Sequence, residues 1–136
     1  MAELLHFELV SPERLLFSGD VEQVTIPGSE GEMTVLVRHA PLITTLKPGL
    51  LLVRKDGGGE ERMFVRGGFA EINPQGLTVL AEEAIPLAEL DRAAFAQRIK
   101  DAEEDVSDAT DDERRRKAQE VLDHLRQVES ALSATV

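Results

Sequence analysis

No cysteine occurs among the 136 residues, so neither a disulfide framework nor a thiolate metal site is available. Basic residues are scarce relative to acids, 15 against 26, for a net charge of −11. A nucleic-acid partner is thereby disfavoured, because phosphate binding needs a concentrated basic surface. The same balance argues against direct attachment to an anionic membrane surface. No apolar run approaches ~18 residues, so no membrane span is expected. The first twenty residues lack a basic start followed by an apolar core, and no signal peptide is read there. The three histidines, His6, His39 and His124, are too scattered to predict a metal site.

What is present divides by pattern. Up to about residue 84, short apolar stretches alternate with turn chemistry. Leu5, Phe7 and Leu9 alternate with His6, Glu8 and Val10, as a half-buried strand requires. Ser11-Pro12-Glu13 reads as a turn, Arg14 to Phe17 as a short strand closed by Ser18-Gly19-Asp20, and Val24 to Ile26 as another. Pro27-Gly28-Ser29-Glu30-Gly31 forces a reversal, and Met33, Val35 and Leu36 resume the apolar series. A second break follows at His39-Ala40-Pro41, where Pro41 pushes its predecessor toward an extended conformation. These two loops are expected to project from the same region of a small sheet protein, where function is commonly carried.

Strands are predicted next at Leu42–Leu46 and Leu50–Arg54. A hairpin follows through Asp56-Gly57-Gly58-Gly59-Glu60 to Arg62–Val65. Gly67-Gly68 reads as a strand end, Phe69–Ile72 as a further strand, Asn73-Pro74-Gln75-Gly76 as a turn, and Leu77–Ala81 as the last strand. Turns this frequent indicate an antiparallel sandwich or flattened barrel.

After Ala84 the period changes. Leu87, Leu90, Ala94, Phe95, Ile99, Ala102 and Val106 recur at helical spacing, predicting one amphipathic helix from Leu87 to Val106 behind Pro86. Thr110-Asp111-Asp112-Glu113 reads as a capping box, with Thr110 accepting from the Glu113 amide. A second helix is predicted from Asp111 to about Leu132, its stripe made of Ala118, Val121, Leu122, Leu125, Val128 and Leu132. The fold class is therefore α+β: an N-terminal antiparallel β-sandwich (residues 1–84) followed by a C-terminal two-helix hairpin (85–136). Charge does not separate the halves, with 7 basic and 13 acidic residues in 1–84 against 8 and 13 in 85–136. So small a hairpin has no core of useful size and must lean on the sandwich or on another protein.

Phe7-Glu8-Leu9-Val10-Ser11-Pro12-Glu13, Phe17-Ser18-Gly19, Gly28-Ser29-Glu30-Gly31-Glu32, His39-Ala40-Pro41-Leu42 and Lys47-Pro48-Gly49 resemble the epsilon subunit of bacterial F-type ATP synthases, homologous to mitochondrial delta. The resemblance covers essentially the whole chain. It implies a non-catalytic rotor subunit of the central stalk, coupling proton translocation to ATP synthesis. Its sandwich would bind the gamma subunit and the polar loops of the c-ring. Its hairpin would either fold down or extend transiently to the alpha/beta catalytic head, inhibiting ATP hydrolysis. The implied location is peripheral, on the cytoplasmic face of the bacterial inner membrane.

The resemblance places the ring contact on Glu32 and His39, with Glu30 and Arg38 beside them. Val37-Arg38 stands where the family often has Pro-Gly or Pro-Asn, which adds a positive charge there. Some relatives bind ATP through Leu/Ile-Asp-x-x-Arg-Ala. Here Leu90 and Asp91 remain, but Ala94-Phe95 replaces the Arg-Ala pair, so no specific ATP binding and no cofactor are expected. Arg114-Arg115-Arg116-Lys117 reads in two ways: as a solvated charged helix face, or as an inhibitory contact with the catalytic head. Two other classes fit parts of the sequence: an unrelated adaptor docking a partner helix through its hairpin, and an enzyme built on the acids and His39. Against the enzyme, no nucleophile–base pair or metal triad stands out.

Overall fold

A computed structural model describes residues 3–134 of the chain, with side chains from 3 to 130. It divides into two compact units, Met1–Pro86 and Leu87–Val136, each taken by itself below. The first contains seven strands: β1 (Leu5–Val10), β2 (Leu15–Gly28), β3 (Gly31–Val35), β4 (Leu42–Thr45), β5 (Gly49–Lys55), β6 (Glu60–Ile72) and β7 (Gly76–Pro86). Hydrogen-bonded neighbours run β1-β7-β6-β5-β2-β3. β4 lies on β6, and β1 also pairs with β2. The ladders therefore close into a sandwich around Leu5, Phe7, Leu9, Val21, Val24, Ile26, Leu51, Val53, Met63, Val65, Ile72, Leu77 and Val79, all at most 1% exposed. Burying one such Leu, Val or Phe contributes about 1.5–3 kcal/mol, which is how a sheet of this size holds together.

The predicted sandwich is present, with three local corrections. Ser18-Gly19-Asp20 does not end a strand. β2 runs through it, because β1 lies alongside and pairs Ser18 with Glu8, Gly19 with Phe7 and Asp20 with His6. Gly67-Gly68 does not end one either. Both glycines take positive φ, 68° and 92°, and let β6 bend while its pairing with β7 continues. β6 lies on β5 before the bend and on β4 after it. One ladder, β1 with β7, is parallel, because the four antiparallel steps from β1 through β2, β5 and β6 to β7 bring β7 back in the direction of β1.

The second unit opens with a 3-10 turn at Leu87–Glu89, followed by α1 (Arg92–Asp108) and α2 (Asp112–Ala134). The helix predicted from Leu87 starts later because Asp91 caps it, its carboxylate accepting from the Ala94 amide at 3.1 Å. Pro86 ends β7 and does not open a helix. The cap of α2 is likewise Asp111, which accepts from the Arg114 amide at 2.8 Å, and not Thr110. An aspartate one residue nearer the helix supplies the same oxygen with its charge at the positive end of the dipole. Phe95, Ile99 and Ala102 of α1 and Leu122, Leu125 and Val128 of α2 are buried, and the two helices are in contact. Val121, predicted on the stripe, is 42% exposed. The side chain of Leu132 lies outside the described residues.

Candidate functional site

The two loops singled out in the sequence flank β3. Gly28 pairs with Gly31 to close the Ser29-Glu30 turn at one end, with Gly31 at φ 129°. His39 lies in the connection beyond the other end. They leave opposite ends of β3 and so do not project from the same region of the sheet, contrary to what the sequence predicts. β3 separates them by roughly 15 Å of extended chain. Its outer positions join them: Glu32, Thr34 and Leu36 are exposed, whereas Met33 and Val35 turn inward. The result is an exposed edge, acidic at Glu30 and Glu32 towards the turn and apolar at Leu36 just beyond the far end of β3.

Along that edge the side chains are positioned unequally. Glu30 and Glu32 are exposed, and no cation stands beside either among the described residues. His39 Nδ1 lies 2.7 Å from the Ala40 carbonyl oxygen, which can only accept, so this contact puts a proton on Nδ1. Arg38 takes the left-handed conformation at φ 64°, donates its amide to Pro74 O at 3.0 Å and ion-pairs with Glu3. Its charge is therefore partly satisfied within the sandwich.

A second surface escaped the sequence reading. The ladder registers place Thr45 opposite Phe69, Phe69 opposite Leu80, Leu80 opposite Val10, and Val10 opposite Leu15. Phe69 and Leu80 are each 40% exposed and Leu15 is 58% exposed. Four apolar side chains from β6, β7, β1 and β2 thus form one outward row, roughly 14 Å long at ordinary strand spacing. Isolated exposed apolar residues are normal, but a contiguous row marks an interaction surface. Only the alternation of each strand was legible beforehand; which outward residues become neighbours depends on register.

Charged groups flank the row on both sides. On one side lie Glu71, Glu8, Ser18, His6 and Asp20. His6 Nδ1 is 3.1 Å from Asp20 and its Nε2 is 3.5 Å from Glu8. The hydrogen bond to Asp20, reinforced by Glu8, raises the His6 pKa above its ordinary value of 6.5. On the other side, Arg66 reaches Glu82 at 3.3 Å and Glu83 at 3.4 Å beside the Ser11–Arg14 turn. An apolar centre within a charged rim has the anatomy of a protein interface.

In the helical unit, all four residues of the basic run have acidic neighbours. Arg114 pairs with Asp111, Arg115 with Asp112, Arg116 with Glu120 and Lys117 with Glu113. Asp91 is occupied as the cap of α1. Among the described residues no group of three His, Cys, Asp or Glu is arranged to hold a metal ion. No helix among them is long and apolar enough to cross a membrane.

A sandwich bearing an exposed apolar row within a charged rim, followed by a helix pair, has the anatomy of an assembly subunit. Residues 4–87 match the family described as ATP synthase, Delta/Epsilon chain, beta-sandwich domain. The chain belongs to the family of ATP synthase epsilon chains, the non-catalytic central-stalk subunits of F-type ATP synthases. It is 56% identical to the ATP synthase epsilon chain of Parvibaculum lavamentivorans over 94% of this chain and 97% of that one. It is 55% identical to that of Mesorhizobium japonicum over 97% and 98%. Among solved structures, it superimposes on a chain of the Euglena gracilis mitochondrial ATP synthase (OSCP/F1/c-ring) with a TM-score of 0.78 at 29% identity, covering 95% of this chain and 81% of that one. A chain of the Tetrahymena thermophila mitochondrial ATP synthase central stalk and c-ring shares the fold, with a TM-score of 0.72 at 13% identity over 94% and 96%.

Proposed function

We propose that this chain is held between two larger bodies of the rotor and transmits torque between them, coupling proton translocation through the c-ring to ATP synthesis. The apolar row Phe69-Leu80-Val10-Leu15 docks on the gamma subunit, and the β3 edge rests on the polar loops of the c-ring. The row is the observation that supports this reading most strongly. It is an exposed apolar surface built from four strands of a rigid sandwich, which is what a fixed mechanical joint needs. On that edge, Glu30 and Glu32 meet basic side chains of the ring loops, His39 presents Nε2 to the same loops, and Arg38 helps shape the loop through Glu3. The site then lies peripheral to the membrane, on the cytoplasmic face of the bacterial inner membrane, attached through the complex.

The helical unit is the regulatory arm. When extended, its run Arg114-Arg115-Arg116-Lys117 contacts the alpha/beta head and slows ATP hydrolysis. The pairs that engage these residues are exposed, and exposed pairs contribute only about 0–1 kcal/mol, so they exchange readily for an acidic partner surface. Nucleotide is not a ligand of the free chain. Leu90 and Asp91 are what remains of the ATP motif, and the Asp91 carboxylate is engaged with the Ala94 amide.

Leu80→Glu and Phe69→Glu test the joint through co-purification with gamma. Glu32→Lys tests the β3 edge through ATP-driven proton pumping. Loss of gamma binding in the first pair and loss of coupling in the second support the two footings. Full retention of both contradicts them.

A further inference from the structure

We infer that the two helices carry a latch between them, formed by Arg115 at the turn and by the Glu103–Arg126 pair further along. The closed hairpin uses the latch to hold one of its inhibitory charges, that of Arg115, in check. This rests on reading the helical unit as the regulatory arm.

α1 ends badly on its own account. Its last turn has no basic residue, and Asp105 and Asp108 sit close to the negative end of its dipole. Its C-cap, Ala109, has a side chain that can satisfy nothing. The missing cation comes from α2. Arg115 Nη2 donates to the Ala109 carbonyl oxygen at 3.0 Å, and Nη1 of the same side chain lies 3.5 Å from Asp112. One guanidinium thus closes the end of α1 and clamps the start of α2 across a three-residue connection. Further along, Arg126 Nη2 reaches Glu103 Oε2 at 3.1 Å, directly between the helices. These contacts differ in kind from those of Arg114, Arg116 and Lys117, whose partners lie on their own helix or its cap. Separating the helices leaves those three pairs intact but frees Arg115 from Ala109 and Arg126 from Glu103.

Two consequences follow for a switch. Arg115 can face an acidic surface with all its donors only after the hairpin opens, so closing and inhibiting compete for the same residue. The latch is also solvent-exposed, with Arg126 at 51% and Glu103 at 50%. Salt therefore weakens it, and its contribution suits an equilibrium that must tip in both directions.

The absence of native cysteine allows clean labelling of the full chain at Lys100→Cys on α1 and Gln127→Cys on α2, for interhelical distance measurement by electron spin resonance. Glu103→Lys alone and Arg126→Glu alone should each raise the separated fraction roughly two- to five-fold, the range an exposed pair supplies. The double reversal should restore the original distribution. Arg115→Gln should open the hairpin as the single reversals do. In the assembled complex it should inhibit ATP hydrolysis less than they do, since it removes a donor from the head contact. Circular dichroism checks that each variant keeps its helices. An unchanged distance distribution in all single variants, or a double reversal that fails to restore it, overturns the latch. Distances that shift without any change in inhibition support the latch and overturn the regulatory reading of the arm.

Discussion

Gly68 carries the bend on which the geometry of β6 depends. A Cβ built there would lie 1.9 Å from the Leu80 carbonyl oxygen, and φ is 92°. Gly68→Ala must therefore separate β6 from β7, and is expected to cost about 2–4 kcal/mol of stability in urea unfolding. Gly58→Ala is the control: φ is 95°, but nothing lies within 4 Å, so its cost should be about 1 kcal/mol. Equal losses at the two positions would show that backbone conformation alone, and not the close approach, matters at Gly68. His6 supplies a pH prediction. Its folded-state pKa is raised, so the stabilising contact with Asp20 is complete below about 6.5 and is lost as pH rises through the folded value. NMR titration should find His6 above its ordinary pKa, and Asp20→Asn should lower it. An unmoved His6 in that variant would mean that Asp20 is not its partner in solution.

At the scale of elements, most of the chain was legible because its signals are local. The alternation of Leu5, Phe7 and Leu9, the three-glycine hairpin and the turn at Asn73 each depend on neighbouring residues alone. Asn73 caps its own turn, its side-chain oxygen accepting from Gly76 N at 2.9 Å. The failures came where a partner strand overrides local chemistry. Ser18-Gly19-Asp20 has turn composition, yet β1 supplies its ladder bonds and keeps it extended. Gly67-Gly68 does bend, but β7 continues alongside. Pro86 and the apolar spacing place the start of α1 at Leu87, whereas the Asp91 cap sets it at Arg92, and in α2 Thr110 and Asp111 both have cap chemistry that the sequence does not rank. Asp91→Ala and Asp111→Ala should each cost their helix about 1 kcal/mol, seen as reduced helicity or a lower melting temperature. Thr110→Ala should cost little. A larger loss at Thr110 than at Asp111 would reverse the cap assignment.

At the scale of the molecule, the candidate surfaces were only half legible. Glu30, Glu32, Arg38 and His39 were singled out from loop chemistry and resemblance. The structure puts Glu32 on β3, Glu30 in the turn before it and Arg38 and His39 in the connection after it, and ties Arg38 to Glu3. The apolar row could not be read in advance, because Val10, Leu15, Phe69 and Leu80 are distant in sequence and meet only through register. Charge shows the same dependence on pairing. With 26 acids against 15 bases, a flat acidic surface would be expected. Instead each flank of the row sets a basic side chain among carboxylates, the titratable His6 on one side and Arg66 on the other. A partner crossing the row therefore meets mixed charge, which sets orientation more than strength.

The proposed joint to gamma on the row-bearing face of the sandwich is what the mechanical role rests on. Its most direct test is the affinity of the Leu80→Glu chain for an ATP synthase core stripped of this subunit, measured beside Gly58→Ala as an off-site variant, with urea unfolding checking that both are folded. A loss of about tenfold or more for Leu80→Glu, with Gly58→Ala unchanged, is the predicted result. Equal, undiminished binding by both would place the joint elsewhere and contradict the account.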